Sequence, residues 1–180
     1  GEYFDSLLSQ TPFDFVIGSS HLVHGYDPYY PEFFEERKEF LCYMEYFESI
    51  LENVTLIDDF DVYGHLDYVV RYCPSGEKIF RMSDYKEVFE QIFKEIIPKG
   101  KGIEINTGSL YKNMSYAHPH MDILKLYKDM GGEIITVGSD AHKPEYLCYD
   151  FETYARDALT SLGYRYYCTF KNRKPEFNPL

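Results

Sequence analysis

Glu133-Ile-Ile-Thr-Val-Gly138 runs directly into Ser139-Asp140-Ala141-His142, an apolar strand that ends on a carboxylate and an imidazole. A short run of β-branched residues bounded by a small-residue turn reads as a buried strand, and the polar residues after it stand at its C-terminal end. The same grammar recurs along the chain. Phe13-Asp-Phe-Val-Ile-Gly18 leads through Ser19 and Ser20 to His21, Asp61-Val-Tyr-Gly64 leads to His65, and Gly102-Ile-Glu-Ile-Asn-Thr107 ends on polar residues. A fifth strand is predicted over Tyr164 to Phe170.

Helical patterns separate these strands. From Glu32 to about Asn53, residues such as Phe33, Phe40, Leu41, Phe47 and Ile50 recur near a 3.6-residue period. Ser83 is placed to cap a helix through Ile97, with Gly100 beyond its end. Pro119 is placed to open a helix to Met130 that Gly131 and Gly132 stop, and Asp150 to cap one through about Leu162. Strand–helix alternation at this spacing implies parallel strands joined by helical crossovers, either as an open doubly wound sheet or as a closed β/α barrel. Both architectures gather functional residues at the C-terminal ends of their strands. His21, His65, Asp140 and His142 all occupy that position.

Composition limits what such a site can serve. The 180 residues are enough for one domain with a sizeable core, and 44% of them are apolar. With 19 Tyr, 14 Phe and no Trp, much of that core must be built from rings whose phenols reach water or a partner. The net charge of −12 repels nucleic-acid backbones and anionic membranes, so neither is an expected partner. An anionic substrate would need local cations to reverse the field. Cys42, Cys73, Cys148 and Cys168 form no CxxC pair and read as free thiols of a reducing compartment. No signal peptide or membrane-length apolar run is present, which predicts a cytoplasmic protein.

The candidate site residues carry metal chemistry. Asp140 and His142 can point at one ion or at two adjacent ions, and hard oxygen with borderline nitrogen suits Zn, Mn or Fe. In Gly64-His65-Leu66-Asp67, Gly64 permits close packing and Asp67 is placed to orient the imidazole as a hydrogen-bond acceptor. Each histidine alone could equally be a hydrogen-bonded residue at a strand end; the three sites reinforce one another. His24, His118 and His120 fall in loops, the last two flanking Pro119 as candidate helix caps. The aromatic stretch His24 to Pro31 reads as a wall or lid over the site, or as an ordinary surface loop.

Taken in order, the blocks ending at His21, Asp67, Thr107 and His142 resemble the PHP (polymerase and histidinol phosphatase) superfamily, and within it the monofunctional histidinol-phosphate phosphatases. The likeness extends over essentially the whole chain, and the combination of four blocks carries it. The resemblance implies an α/β fold, a distorted (β/α)7 barrel of the PHP type whose first strands are missing from this chain, with residues 1–180 as a single, N-terminally incomplete PHP domain. It implies a trinuclear site of divalent metals (Zn, Mn or Fe) to which His21, His65, Asp140 and His142 contribute, with Asp140 and His142 catalytic. It also implies phosphate binding by Arg71, six residues past His65, and by Lys112, where many relatives carry Arg. The family's opening His-x-His strand and a Glu ligand would lie ahead of Gly1, since Glu2 sits against a helix around Leu7 and Leu8, so the chain alone is expected to be impaired. The implied activity is hydrolysis of L-histidinol phosphate in histidine biosynthesis. The alternatives are another PHP phosphoesterase acting on a different small phosphate ester, or a non-catalytic metal-binding fragment.

Overall fold

The structure, a computed structural model, describes Ser6 and residues 10–180; the helix expected around Leu7 and Leu8 lies outside the described residues. Strands β1 (Ile17–Gly18), β2 (Val62–Tyr63), β3 (Gly102–Asn106) and β4 (Ile135–Gly138) form a parallel sheet in the order β1-β2-β3-β4. The register Val62↔Gly102 and Asn106↔Gly138 brings the C-terminal ends of adjacent strands to one edge of the molecule. Helices α1 (Glu39–Leu56), α2 (Lys86–Ile96) and α3 (Met121–Asp129) follow β1, β2 and β3 as crossovers, and α4 (Arg156–Ser161) follows β4. Sequential strands paired side by side through helices are the β/α arrangement that the alternation predicts.

The expected barrel is not closed. The four described parallel strands span an arc, and closure requires every strand edge to be paired. The predicted fifth strand, β5 (Tyr166–Lys171), does not extend the parallel sheet but turns back as a hairpin with β6 (Lys174–Pro179). The turn residues Asn172 and Arg173 both have positive φ, 51° and 63°, the conformation a two-residue hairpin needs to match strand twist. Phe170 stacks on Phe15 at 4.9 Å. The Arg173 guanidinium pairs with Asp61 at 2.7 Å and Asp59 at 3.0 Å, and the backbone N–H groups of Asn172 and Arg173 donate to Asp14. The hairpin tip is thereby fastened to the entry ends of β1 and β2, the end away from the candidate ligands.

Helix boundaries differ from the sequence reading for local reasons. Pro31–Phe33 is a separate 3-10 turn, and α1 starts only at Glu39. Its buried face is Cys42, Tyr43, Tyr46, Phe47, Ile50 and Val54, whereas Phe40 and Leu41 are exposed. Tyr43 and Tyr46, outside the expected apolar stripe, join Phe47 and Ile50 in this layer. Ser83 caps no helix: it lies in a 3-10 turn with its hydroxyl donating to Asp84, and α2 begins behind Tyr85. Asp150 precedes a π-helical turn, Phe151–Ala155, and its side chain accepts from Thr153 rather than from the helix backbone. His120, as expected of that segment, caps α3 by accepting from the Asp122 N–H at 3.2 Å. The four cysteines are free, and only Cys148 is exposed.

Candidate metal and phosphate site

The site begins with anchored backbones. Ser20, immediately before His21, is buried and held from three sides: Tyr46 Oη donates to its carbonyl at 2.9 Å, its hydroxyl meets Tyr63 Oη at 2.6 Å, and Asn53 Nδ2 donates to that hydroxyl at 2.9 Å. The serine is thus a tether for His21, a role beyond leaving room near the backbone. His65 leaves β2 with φ 29°, a left-handed conformation that strains any residue carrying a Cβ and needs support from its surroundings. The two imidazoles meet edge to face, ring centroids 4.9 Å apart, and the Tyr68 ring lies 4.9 Å from both.

His65 is buried, and its Nδ1 has no hydrogen-bond partner. Burial pushes its imidazole down to about 3, with the nearby His21 and His118 rings acting in the same direction. The ring is therefore neutral at physiological pH and offers a lone pair, the state in which histidine binds a metal.

Two strands along the sheet, just past the end of β4, Asp140 also has positive φ, 48°, and its carboxylate sits 3.7 Å from the His142 Nε2. These two are open to solvent, with 81% of the His142 side chain exposed. Tyr111 secures their loop by donating from Oη to the carbonyls of Asp140 (2.7 Å) and Ser139 (3.1 Å), while its ring stacks on Tyr146 at 4.1 Å.

Between the two halves stands Glu104, a buried carboxylate in the middle of β3. Its Oε2 accepts from the His65 N–H at 3.3 Å and from Asn106 Nδ2 at 3.1 Å. A Cβ at Gly138 would fall 2.2 Å from Glu104 Oε1, and one at Gly64 would fall 3.1 Å from Oε2. At Gly138 the Glu104 carboxylate occupies the space a side chain would take, and at Gly64 a side chain would crowd both Glu104 and Ile17, whose Cγ2 lies 3.0 Å from the Cβ position. Burial pushes the Glu104 carboxyl up, and the charge of Asp140 adds to that.

Asp67 does not orient His65 as the sequence suggested. Its two oxygens are taken by His118 Nδ1 at 2.5 Å and by the His120 N–H at 2.9 Å, and this pairing with His118 makes His118 a fully buried core residue. Of the expected phosphate groups, Arg71 lies with its guanidinium 5.5 Å from the Tyr68 ring and 5.7 Å from the Tyr72 ring, and its Nε is buried without a partner. It therefore belongs to the His21–His65 side. Lys112 is exposed, 5.7 Å from the Tyr111 ring on the Asp140 side. The aromatic loop approaches the site through Tyr29, which packs on Tyr72 at 5.3 Å, and Tyr72 in turn packs on Tyr68 at 4.9 Å.

Sequence reasoning missed Glu104, His118, Tyr68 and Tyr111. Only Glu104 carried a signal, an acid inside an otherwise apolar strand.

Among the described residues, no three His, Cys, Asp or Glu side chains converge closely enough to enclose a metal ion. The donors present do fit one: two adjoining imidazoles, His65 with an unpartnered buried nitrogen, on one side, and a solvent-facing carboxylate–imidazole pair on the other.

A family profile for the PHP domain matches residues 2–108. The chain belongs to the PHP domain family. Among curated PHP relatives, the histidinol-phosphatase of Lactococcus lactis is 30% identical over 177 residues, 97% of this chain and 64% of its own length. A probable histidinol-phosphatase of Clostridium acetobutylicum is 29% identical over 147 residues, 82% of this chain and 57% of its own. A crystal structure of the Lactococcus lactis histidinol phosphate phosphatase, complexed with zinc, L-histidinol and phosphate, superposes with a TM-score of 0.82 at 29% identity, covering 97% of this chain and 66% of that one. The chain thus spans less than two thirds of the length of these PHP relatives, from 57% to 66%. No helix among the described residues is long and apolar enough to cross a membrane.

Proposed function

We propose that this chain is the larger part of a metal-dependent phosphomonoesterase that hydrolyses L-histidinol phosphate to L-histidinol and phosphate, in histidine biosynthesis and in the cytoplasm. The observation that carries the reading is the pairing of half-sites at the ends of β1, β2 and β4 on a backbone so close to that of a structure holding zinc, L-histidinol and phosphate. In this reading the complete enzyme closes a distorted (β/α)7 barrel around a trinuclear site of Zn, Mn or Fe, and residues 1–180 are a single domain of it.

His21, His65, Asp140 and His142 would hold divalent metal. When bound, the metal supplies Lewis acidity toward phosphoryl oxygens and acidifies water. The chain's own residues do the rest. Arg71, its guanidinium close to the Tyr68 and Tyr72 rings, would be the cation on the His21–His65 side that meets the phosphate dianion. In so acidic a protein it supplies the local positive field that the substrate requires. Lys112 adds a second charge from the mouth, without the flat fork of an arginine. Asp140, open to solvent and fixed through Tyr111, would orient the attacking water, and His142 beside it would complete the catalytic pair by holding the metal against that carboxylate, the leaving alkoxide taking its proton from water.

The test is phosphate release by the purified protein with Zn or Mn on L-histidinol phosphate beside a panel of small phosphate esters. Preferential turnover of histidinol phosphate is expected. Indifference to it with turnover of another ester would transfer the site to a different substrate, and metal uptake without any phosphate release would leave a binding fragment.

A further inference from the structure

Four buried polar residues, Asp67, His118, Asn106 and Glu104, form a ring with His65 that is closed by hydrogen bonds and by the backbone from His65 to Asp67. The chain runs from His65 to Asp67, whose carboxylate meets His118 Nδ1 at 2.5 Å. His118 and Asn106 exchange both backbone hydrogen bonds, at 2.6 and 3.0 Å, which splices the 115–120 segment onto the end of β3. Asn106 donates from Nδ2 to Glu104, and Glu104 returns to the His65 N–H. Asp67 and His118 are 0% exposed, Asn106 2% and Glu104 5%. The hydrogen bonds that such a buried polar ring does make fix the relative placement of its members, here His65, the end of β3 and the 115–120 segment.

Two features mark the ring as more than packing. The residue it encloses, His65, is held in a left-handed backbone conformation with Nδ1 bare. On the other side, His118 Nε2 is also buried without a partner, although its Nδ1 is bound to a carboxylate. A fold keeps such unsatisfied groups where their placement is needed.

We propose that Asp67, His118, Asn106 and Glu104 are positioning residues that set the His65 imidazole for metal binding, with His118 relaying the hold of Asp67 to the end of β3. The inference rests on His65 being a metal ligand. Asp67 acts on His65 only through this relay, because both its oxygens are already taken. Outer partners of this type tune a metal ligand by fixing its orientation rather than by touching the metal.

The experiment measures Zn2+ affinity by chelator competition, together with the visible spectrum of the Co2+-loaded protein, for the parent, His118→Leu, His118→Asn, Asp67→Asn and His65→Ala. His118→Leu strands Asp67 and should weaken Zn2+ binding roughly 10–100-fold and alter the Co2+ bands. His118→Asn keeps a donor toward Asp67 and should recover most of the affinity, which a loss of packing alone would not allow. Asp67→Asn is nearly isosteric and should weaken binding in the same range, so the question stays decidable if His118→Leu fails to fold. Folded variants that bind Zn2+ like the parent, while His65→Ala does not, would overturn the positioning role. Parent-like binding by His65→Ala, or no Zn2+ uptake by the parent, would instead overturn the ligand reading beneath it.

Discussion

The loop that ends β2 and the loop that ends β4 present their histidines in opposite ways. His65 is enclosed, made neutral by burial and gripped through its backbone by Glu104. Asp140 and His142 stand in solvent, and their loop is held at one point, by the hydroxyl of Tyr111. Both loops contain a non-glycine residue at positive φ, so both carry local strain. The inner half compensates for it with a buried network, the outer half with a surface clasp. If the two halves hold metal as proposed, the inner one is a preorganised wall and the outer one is free to adjust.

Substitutions can break that contrast, starting with the largest effect. His65→Ala should lower Zn2+ affinity by more than the roughly 10–100-fold that follows loss of a mere supporting partner, as read by chelator competition. Gly138→Ala should cost about 1–3 kcal/mol in chemical denaturation, because the new methyl meets the pinned Glu104 carboxylate. The pH dependence of metal-free protein tests the enclosure of His65. Its folded pKa lies below the unfolded one, so between about 3 and about 6.5 the unfolded chain binds the extra proton. Through that window His65 should make stability fall as pH drops, by up to about 1.4 kcal/mol per unit, and that contribution to the slope should be missing in His65→Ala. Tyr111→Phe removes the clasp and should cost about 1 kcal/mol, with a larger relative loss in metal affinity than in thermal stability. His142→Ala should change metal-free stability by less than about 0.5 kcal/mol while reducing bound metal and activity together. Normal metal content in that variant would remove His142 from the ligand set.

Legibility in the sequence followed the same division. The strand ends at His21, His65, Asp140 and His142 were readable because an apolar run that stops at a small residue and a ligand is a local pattern. The hairpin partner β6 was not, since Lys174-Pro175-Glu176 has the composition of a loop and becomes a strand only by pairing with β5. Asp67 was assigned to the wrong histidine. Spacing put it beside His65, whereas the fold brings His118, 51 residues away, within 2.5 Å of it.

From the sequence alone came the alternation of parallel strands and helices, the acidic surface, and the identity of the candidate ligands, all of which depend on neighbours a few positions apart. Tertiary structure alone decided that the described sheet stays open, that Glu104 stands between the two half-sites, and that His65 and His142 differ so sharply in exposure. The physical reason is that burial and hydrogen-bond partnership are properties of contacts between distant segments. A histidine at the end of a strand looks the same in sequence whether a buried carboxylate or open water lies behind it.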